Sequence, residues 1–178
     1  VGEKSIFSSN TEKFATNYYP HEIYINGLKQ NITKFSYYLN QIENYVDLVW
    51  INPITQAQYM FYNCTDITEI DLINFDTSKL KMTNFMFSNY TSLISINFNN
   101  FNTSKVIYMN RMFESCISLP AVDVSHFDTS QVLWMNHMFF NCSSLTTLDI
   151  TNFNTSKVTD MEYLFSGCLK LTSLDLSH

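Results

Sequence analysis

The chain has 178 residues, of which 46% are hydrophobic, so it is long enough to bury a core of its own. Its formal net charge of −6 disfavours binding to nucleic acid, because phosphate recognition needs clustered Lys and Arg side chains. No apolar run approaches the ~18 residues of a membrane-spanning helix, so we expect no membrane span.

The first 22 residues show no clear period and are predicted to form an amino-terminal cap segment, residues 1–22. Residues 23–178 are predicted to form one repeat domain, with degenerate repeats to about residue 53 and regular repeats after it. The three glycines and three prolines leave little room for a flexible linker between these parts.

One fixed interval of about 26 residues recurs through the regular part of the sequence and defines the repeat unit. Phenylalanines recur at this interval, at Phe75, Phe101, Phe127 and Phe153. Cysteines recur at the same interval, at Cys116, Cys142 and Cys168, and Cys64 lies two intervals before the first of them. A fixed period of this length is typical of a solenoid or array in which each unit packs against its neighbours.

Each unit combines two patterns of hydrophobic residues. The first half has the pattern Leu-x-x-Leu-x-Leu and ends in the alternation of a short strand, as in Leu145, Leu148 and Ile150. In the second half the apolar residues follow one helix face, as in Val158, Met161, Leu164 and Phe165. Stacking such units predicts an α/β fold, with parallel strands on one face and short helical turns on the other.

The residues that carry these patterns resemble a known repeat family. The apolar triplet is followed by Asn-Phe-Asp-Thr-Ser or Asn-Phe-Asn-Thr-Ser, a valine, a Met-Phe pair and a cysteine. This order is similar to the BspA-like leucine-rich repeat of bacterial and protist cell-surface proteins. The resemblance implies a leucine-rich-repeat solenoid, an extracellular or cell-surface location, and adhesion or other protein binding without catalysis. It implies no catalytic residues, because the family shares a scaffold and not a site.

The residues themselves do not indicate an enzyme or a cofactor site. The four histidines share no repeat position with a carboxylate, and phosphate-binding loops and nucleophile elbows are absent from the sequence. A row of carboxylates, at Asp123, Asp149 and Asp175, stands on adjacent predicted strands ~4.8 Å apart and is the weak candidate for a calcium site. The flanking Ser and Thr offer few of the six to eight oxygens that calcium needs, so a solvated polar row is the favoured interpretation.

The four cysteines occupy one position just after the predicted helical half. A disulfide needs Cα atoms within ~7 Å, whereas packed helical turns lie ~8–10 Å apart. We therefore expect buried free thiols that act as small core residues.

Six Asn-x-Ser/Thr sequons are candidate sites for N-linked glycans, at Asn31, Asn63, Asn89, Asn102, Asn141 and Asn154. Three of them precede the cysteine position, and two lie at the predicted helix start. Both positions are predicted turns with room for a glycan. We expect most sequons to be occupied in a eukaryotic secreted protein and few in a bacterial one.

Several large apolar side chains occupy positions that are polar in other units. The positions of Thr159 and Asp160 hold Ile107 with Tyr108, and Leu133 with Trp134, in the two preceding units. Positions that hold Arg111 and Glu114 in one unit hold Phe85 and Phe140 in others. A contiguous exposed apolar patch with aromatic anchors is typical of a protein interaction site. Cover from glycans, or a different register of the helical half, is the alternative.

The sequence stops inside a repeat, directly after a predicted strand. A solenoid needs a polar terminal cap, so either the protein is longer or another molecule covers the apolar residues of the last unit: Leu164, Phe165, Leu171, Leu174 and Leu176. The resulting hypothesis is a non-catalytic, extracellular, glycosylated structural subunit whose copies join head to tail into a filament. The alternative is a monomeric adhesin that holds a host or matrix protein on the face carrying Asp123 and Asp149.

Overall fold

The computed structural model describes residues 2–6, 19–31, 36–39, 41 and 43–176. Its regular elements are seven short strands: β1 Gly2–Ser5, β2 Glu22–Ile25, β3 Leu28–Lys29, β4 Ser36–Leu39, β5 Val46–Val49, β6 Glu69–Asp71 and β7 Ser95–Asn97. These residues contain no helix. Residues 7–18 of the predicted cap segment lie outside the described residues, and the boundary at residue 22 stays a prediction.

Two small antiparallel sheets form the amino-terminal part of the described chain. β1 pairs with β4, and β2 lies between β3 and β5. Asn26 and Gly27 connect β2 to β3, and both have the positive φ angles, 51° and 78°, that a tight hairpin turn requires. Ile23 of β2 is fully buried, and Trp50 packs edge-on against Phe75 at 4.9 Å between ring centroids. The sheets therefore share one core with the repeat units.

From residue 56 onward the chain forms stacked units that follow the period of the sequence. Parallel backbone contacts join one position of five successive units: Gln56, Met82, Tyr108, Trp134 and Asp160. On another side of the units, β6 pairs in parallel with β7, and Ala121 contacts Thr147 in the same way. The sequence period therefore determines which residues stack on one another.

Phenylalanines of the repeat stack in two columns inside the units. The first column has ring centroids 5.4 to 5.8 Å apart and contains Phe61, Phe87, Phe113, Phe139 and Phe165. The second has centroids 6.0 to 6.4 Å apart and contains Phe75, Phe101 and Phe127. These aromatic columns supply several of the largest fully buried side chains, so they anchor each unit on the next.

The half of each unit that was predicted to be helical consists of overlapping four-residue turns. In the first regular unit, alternate N–H groups donate to the carbonyl oxygen three residues earlier: those of Met60, Tyr62 and Cys64. The N–H groups between them donate to carbonyl oxygens of the next unit: those of Ala57, Tyr59, Phe61 and Asn63. An α-helix uses its interior N–H groups within its own segment, so half of the donors here serve the stacking instead.

Left-handed backbone angles interrupt any helix in this half. Two residues of each unit have φ between 54° and 83°: Tyr59 and Asn63, Phe85 and Asn89, Arg111 and Ser115, His137 and Asn141, Tyr163 and Gly167. A right-handed α-helix requires negative φ angles, so these positive angles interrupt it. The prediction of an α/β leucine-rich-repeat solenoid is therefore wrong, because the described residues form short strands, bridges and turns. The predicted stripe is buried all the same, since the turns return its residues to the core, as at Val132, Met135 and Met138.

A segment that reads Phe-Asp-Thr-Ser or Phe-Asn-Thr-Ser forms a corner of each unit. The Asp128 carboxylate accepts a hydrogen bond at 2.9 Å from the N–H of Ser130, two residues later, and this bond stabilises a tight turn. The buried Thr129 hydroxyl accepts the N–H of Asn154 at 2.7 Å and donates to the Asn154 carbonyl at 3.1 Å. One residue of the motif thus shapes the corner and the next binds it to the following unit.

Candidate interaction surfaces

Tyr108 and Trp134 form an aromatic pair on the line of backbone contacts between units. Their ring centroids lie 4.7 Å apart, and Trp134 remains 46% exposed. Ile107 and Leu133, which precede them, are half-buried, and the N–H of Leu133 donates to the Ile107 carbonyl at 2.9 Å. The structure therefore brings four of the six predicted interaction residues together in two adjacent units.

Phe85 and Phe140, the other two predicted interaction residues, have different aromatic or cationic partners. The Phe85 ring stacks on Tyr59 at 4.5 Å and lies 5.5 Å from the guanidinium carbon of Arg111. The Phe140 ring packs against His137 at 5.3 Å. Both phenylalanines are half-buried, so part of each ring packs against these neighbours and part remains exposed.

The structure contains a strained surface column, with one residue in every unit, that was not predicted from the sequence. It holds the first left-handed residue of each turn segment: Tyr59, Phe85, Arg111, His137 and Tyr163. A bulky side chain in this conformation costs about 1–3 kcal/mol, so the stacking must hold it in place. A signal is present four residues later, where Asn63, Asn89, Asn141 and Gly167 are residue types that tolerate positive φ. Three of these residues also belong to sequons, which hides their conformational role.

The carboxylates of the acidic row close local turns. Asp123 accepts the N–H and hydroxyl of Ser125 at 3.0 and 2.7 Å, and Asp149 accepts the same groups of Thr151 at the same distances. The hydroxyl of Ser125, followed by its N–H, lowers the pKa of Asp123 below its usual value. Thr151 lowers the pKa of Asp149 in the same way, while the nearby Asp123 and Asp175 carboxylates oppose that shift.

A shallow groove runs across three successive units at these carboxylates. It encloses about 400 Å³, and Asp123, Leu148, Asp149 and Ser173 are among the residues that line it. In the described part of the chain no group of three or more His, Cys, Asp or Glu side chains is placed to hold a metal ion. The groove can therefore offer carboxylate oxygens and an apolar floor to another molecule.

Five of the six sequon asparagines are exposed: Asn31, Asn63, Asn102, Asn141 and Asn154. Asn89 is half-buried, and its Nδ2 atom donates to the Tyr62 hydroxyl at 3.1 Å. A glycan on that nitrogen would replace one of its two N–H groups beside the Tyr62 hydroxyl. Glycosylation stays a prediction at all six positions.

The four cysteines are free, and three of them are fully buried. Cys142 donates its thiol proton to the carbonyl of Phe113, at 3.0 Å, and burial raises the pKa of this thiol to about 12. At the same repeat position, Tyr90 is also fully buried, and its hydroxyl has no hydrogen-bond partner among the described residues. This column is therefore a site of core packing and not of reactive thiolates.

The carboxyl-terminal unit exposes side chains that the inner units bury. Met161 is 45% exposed, whereas Met135, one unit earlier, is fully buried. Leu176 is 66% exposed, whereas its equivalent Ile150 is buried. The other predicted end-contact residues are half-buried: Leu164, Phe165, Leu171 and Leu174.

The regular units match a known protein family. A family described as "Mycoplasma protein of unknown function, DUF285" matches residues 55–177. The chain belongs to this family. The DUF285 match begins at the first stacked unit and covers all of them. No curated protein and no solved structure matches the chain.

Membership of the DUF285 family corrects the resemblance to BspA-like leucine-rich-repeat proteins. The described residues of this chain also lack the helical half that the resemblance implied. The prediction of a BspA-like leucine-rich repeat is therefore wrong. Within the described residues, no helix is long and apolar enough to cross a membrane.

Proposed function

We propose that this DUF285 chain is a non-catalytic repeat scaffold that acts by contact with other proteins, outside the cell or at its surface. The observation that supports the proposal is an aromatic pair on two inner units: Trp134 is 46% exposed, and its ring centroid lies 4.7 Å from that of Tyr108. Exposed apolar surface of this kind is favourable for protein contact.

The arrangement we propose is end-to-end association of copies into a filament. The amino-terminal sheets also expose large hydrophobic side chains, and three of them are between 71% and 72% exposed: Leu28, Tyr45 and Ile51. Joining the carboxyl-terminal unit of one copy to these sheets of the next would remove both surfaces from water. Such a head-to-tail contact leaves one surface of each kind free, so it propagates.

Sedimentation velocity over a range of concentrations, followed by electron microscopy, tests this arrangement. We expect association that grows with concentration and is lost in Leu176→Asp, because the new carboxylate would be buried without a partner. Ile117→Asp is the matched control, since Ile117 is 39% exposed on an inner unit and should leave association unchanged. A single monomeric species at every concentration would contradict the filament.

A monomeric adhesin is the second candidate, and the groove beside Asp123 and Asp149 favours it. In this case immobilised matrix proteins should bind the chain, as measured by surface plasmon resonance. Asp123→Asn with Asp149→Asn should weaken the binding, because the amides keep the local turns but remove both charges. Leu176→Asp should have no effect on it. Equal binding by the parent and the double variant would contradict this use of the groove.

N-linked glycans are part of the proposal, and intact mass before and after deglycosylation tests them. We expect a loss of mass that peptide mapping assigns to exposed sequons such as Asn63 and Asn154, and less occupancy at Asn89. An unchanged mass in protein from its natural source would remove glycans from the proposal.

A further inference from the structure

The turn segments of two adjacent inner units place three columns of side chains at the surface. In chain order these are an aromatic column, an amide column and a column of left-handed residues with planar side chains. Their members in the two units are Tyr108 with Trp134, Asn110 with Asn136, and Arg111 with His137. Trp134 is exposed and the other five are half-buried. We call these six residues the aromatic face.

Planar groups follow one another at short intervals in both outer columns of the aromatic face. The ring centroids of Tyr108 and Trp134 lie 4.7 Å apart. In the other column the guanidinium carbon of Arg111 lies 5.5 Å from the Phe85 ring, and the His137 ring lies 5.0 Å from that of Tyr163. Flat groups of this kind pack well against rigid apolar rings. The face therefore suits a ligand that repeats such rings along its length.

Hydrogen-bond donors accompany the planar groups. Within the described residues, neither the Trp134 indole N–H nor the Tyr108 hydroxyl makes a hydrogen bond. Asn110 and Asn136 add side-chain amides, of which the Asn136 Nδ2 atom lies 3.5 Å from the Nδ1 atom of His137. Proline has no N–H group, and a polyproline helix has no internal hydrogen bonds, so its carbonyl groups need external donors. The aromatic face offers both the donors and the flat surfaces that such a helix needs.

The charges of the face fit a ligand that is uncharged along most of its length. Arg111 forms an ion pair with Glu114 of its own unit, so this cation is already neutralised. In the following unit, the places of Trp134 and Asn136 are held by Asp160 and Glu162. Asp160 joins Trp134 by a parallel backbone contact. A cationic residue at the end of the ligand beside Asp160 would complement these two carboxylates.

We infer that the aromatic face binds a proline-rich segment of another protein, in the polyproline conformation and with Lys or Arg at the end beside Asp160. The inference rests on the proposed function and names the partner chemistry of the Tyr108–Trp134 pair. Such a segment loses little conformational entropy on binding, because its helix is formed beforehand. A second copy of the sequence supplies no such segment, since its three prolines are far apart, at Pro20, Pro53 and Pro120.

Fluorescence anisotropy of a labelled peptide tests the inference on the full chain. The probe is a run of about nine prolines, roughly three turns of the helix, followed by arginine. We expect the parent chain to bind it and Trp134→Ala to bind at least about 10-fold more weakly, because exposed aromatic anchors dominate small contacts. Ile94→Ala is the matched control, since Ile94 is 48% exposed on an inner unit beside β7 and should bind as the parent does.

Two further comparisons test the helix and the charge separately. A probe with glycine in place of every proline keeps the arginine and loses the helix, so the parent chain should bind it at least about 10-fold more weakly. This comparison does not depend on the folding of any variant. Asp160→Asn should weaken binding of the proline probe by about 2- to 5-fold and leave binding of a probe without arginine unchanged.

Equal binding of the proline and glycine probes by the parent chain, or no binding of the proline probe, overturns the inference. So does equal binding by the parent and a Trp134→Ala variant whose circular dichroism shows that it is folded. Without binding of the proline probe, self-association lost in Trp134→Ala would assign the face to a second copy, and binding of a neutral oligosaccharide would assign it to a sugar. Binding of the proline probe by a chain that stays monomeric supports the inference while contradicting the filament.

Discussion

Large side chains hold left-handed backbone angles at one position in each unit of this chain. Phe85, Arg111 and His137 have φ of 58°, a region that non-glycine residues adopt uncommonly. Their side chains are held by neighbours in the column, as in the packing of His137 on Tyr163 at 5.0 Å. The strain at the residue is thus offset by stacking and by the hydrogen bonds to the next unit.

His137→Val should lower the free energy of unfolding by about 1–3 kcal/mol more than His137→Asn, as measured by urea denaturation. Both substitutions remove the ring contacts of His137, but a β-branched residue is strained at this φ and asparagine is not. Equal stability of the two variants would show that the left-handed angle is not kept in solution.

Burial of the Cys142 thiol makes stability depend on pH. Its pKa rises from 9.0 to about 12 on folding, so the folded state holds a proton that the unfolded chain releases. The stabilisation is complete below pH 9 and is lost as pH rises towards 12. We expect the unfolding free energy of the parent chain to fall over this window more steeply than that of Cys142→Ser, by up to about 4 kcal/mol at its upper limit. Matching pH profiles in urea titrations under reducing conditions would contradict the raised pKa.

The corner and the turn segment are the elements that connect one unit to the next. The corner connects the units through buried threonine hydroxyls. The Thr77 hydroxyl accepts the N–H of Asn102 at 2.7 Å, and the Thr129 hydroxyl accepts the N–H of Asn154 at the same distance. The turn segment does so through alternate N–H groups. Both elements therefore satisfy their polar groups across the junction and not within themselves.

Thr129→Val should destabilise the chain by about 1–3 kcal/mol, because it removes the buried hydroxyl that accepts the N–H of Asn154 and donates to its carbonyl. Thr129→Ser keeps the hydroxyl and should cost less. Thr155→Val, on an exposed residue in the next corner, should be nearly neutral. Thermal unfolding of the three variants measures the order, and a neutral Thr129→Val would show that the hydroxyl does not join the units.

Stability in the whole molecule is set by neighbours on both sides of a unit. An inner unit such as the one containing Met135 is covered twice, whereas the unit containing Met161 is covered once. The amino-terminal sheets cover the other end with Ile23 and Ile6 in the shared core. The two ends of the molecule are therefore chemically different.

Met135→Ala should cost about 2–5 kcal/mol of unfolding free energy, and Met161→Ala less than half as much. The two residues share a repeat position and differ in coverage, so each serves as the control for the other. Urea denaturation at low protein concentration makes the comparison. Equal losses would show that the carboxyl-terminal surface is already covered in solution.

Part of this arrangement could be predicted from the sequence. The recurring phenylalanines predicted which side chains stack, and the cysteine position was correctly predicted to hold buried free thiols. The reason given for the free thiols was wrong, because the segments beside them are hydrogen-bonded turns and not packed helices. The pairing of β1 with β4 had no sequence signal, since it joins segments far apart in the chain through backbone groups.

The sequence alone determined the period of the repeat, because a stacked core needs the same apolar residue at the same place in every unit. It did not determine the conformation between those places. A spacing of three and four positions satisfies both a helix face and a series of turns, and only the tertiary structure decided between them. The physical reason is that alternate N–H groups of the turns donate to carbonyl oxygens of the next unit, and these hydrogen bonds exist only once the units are stacked.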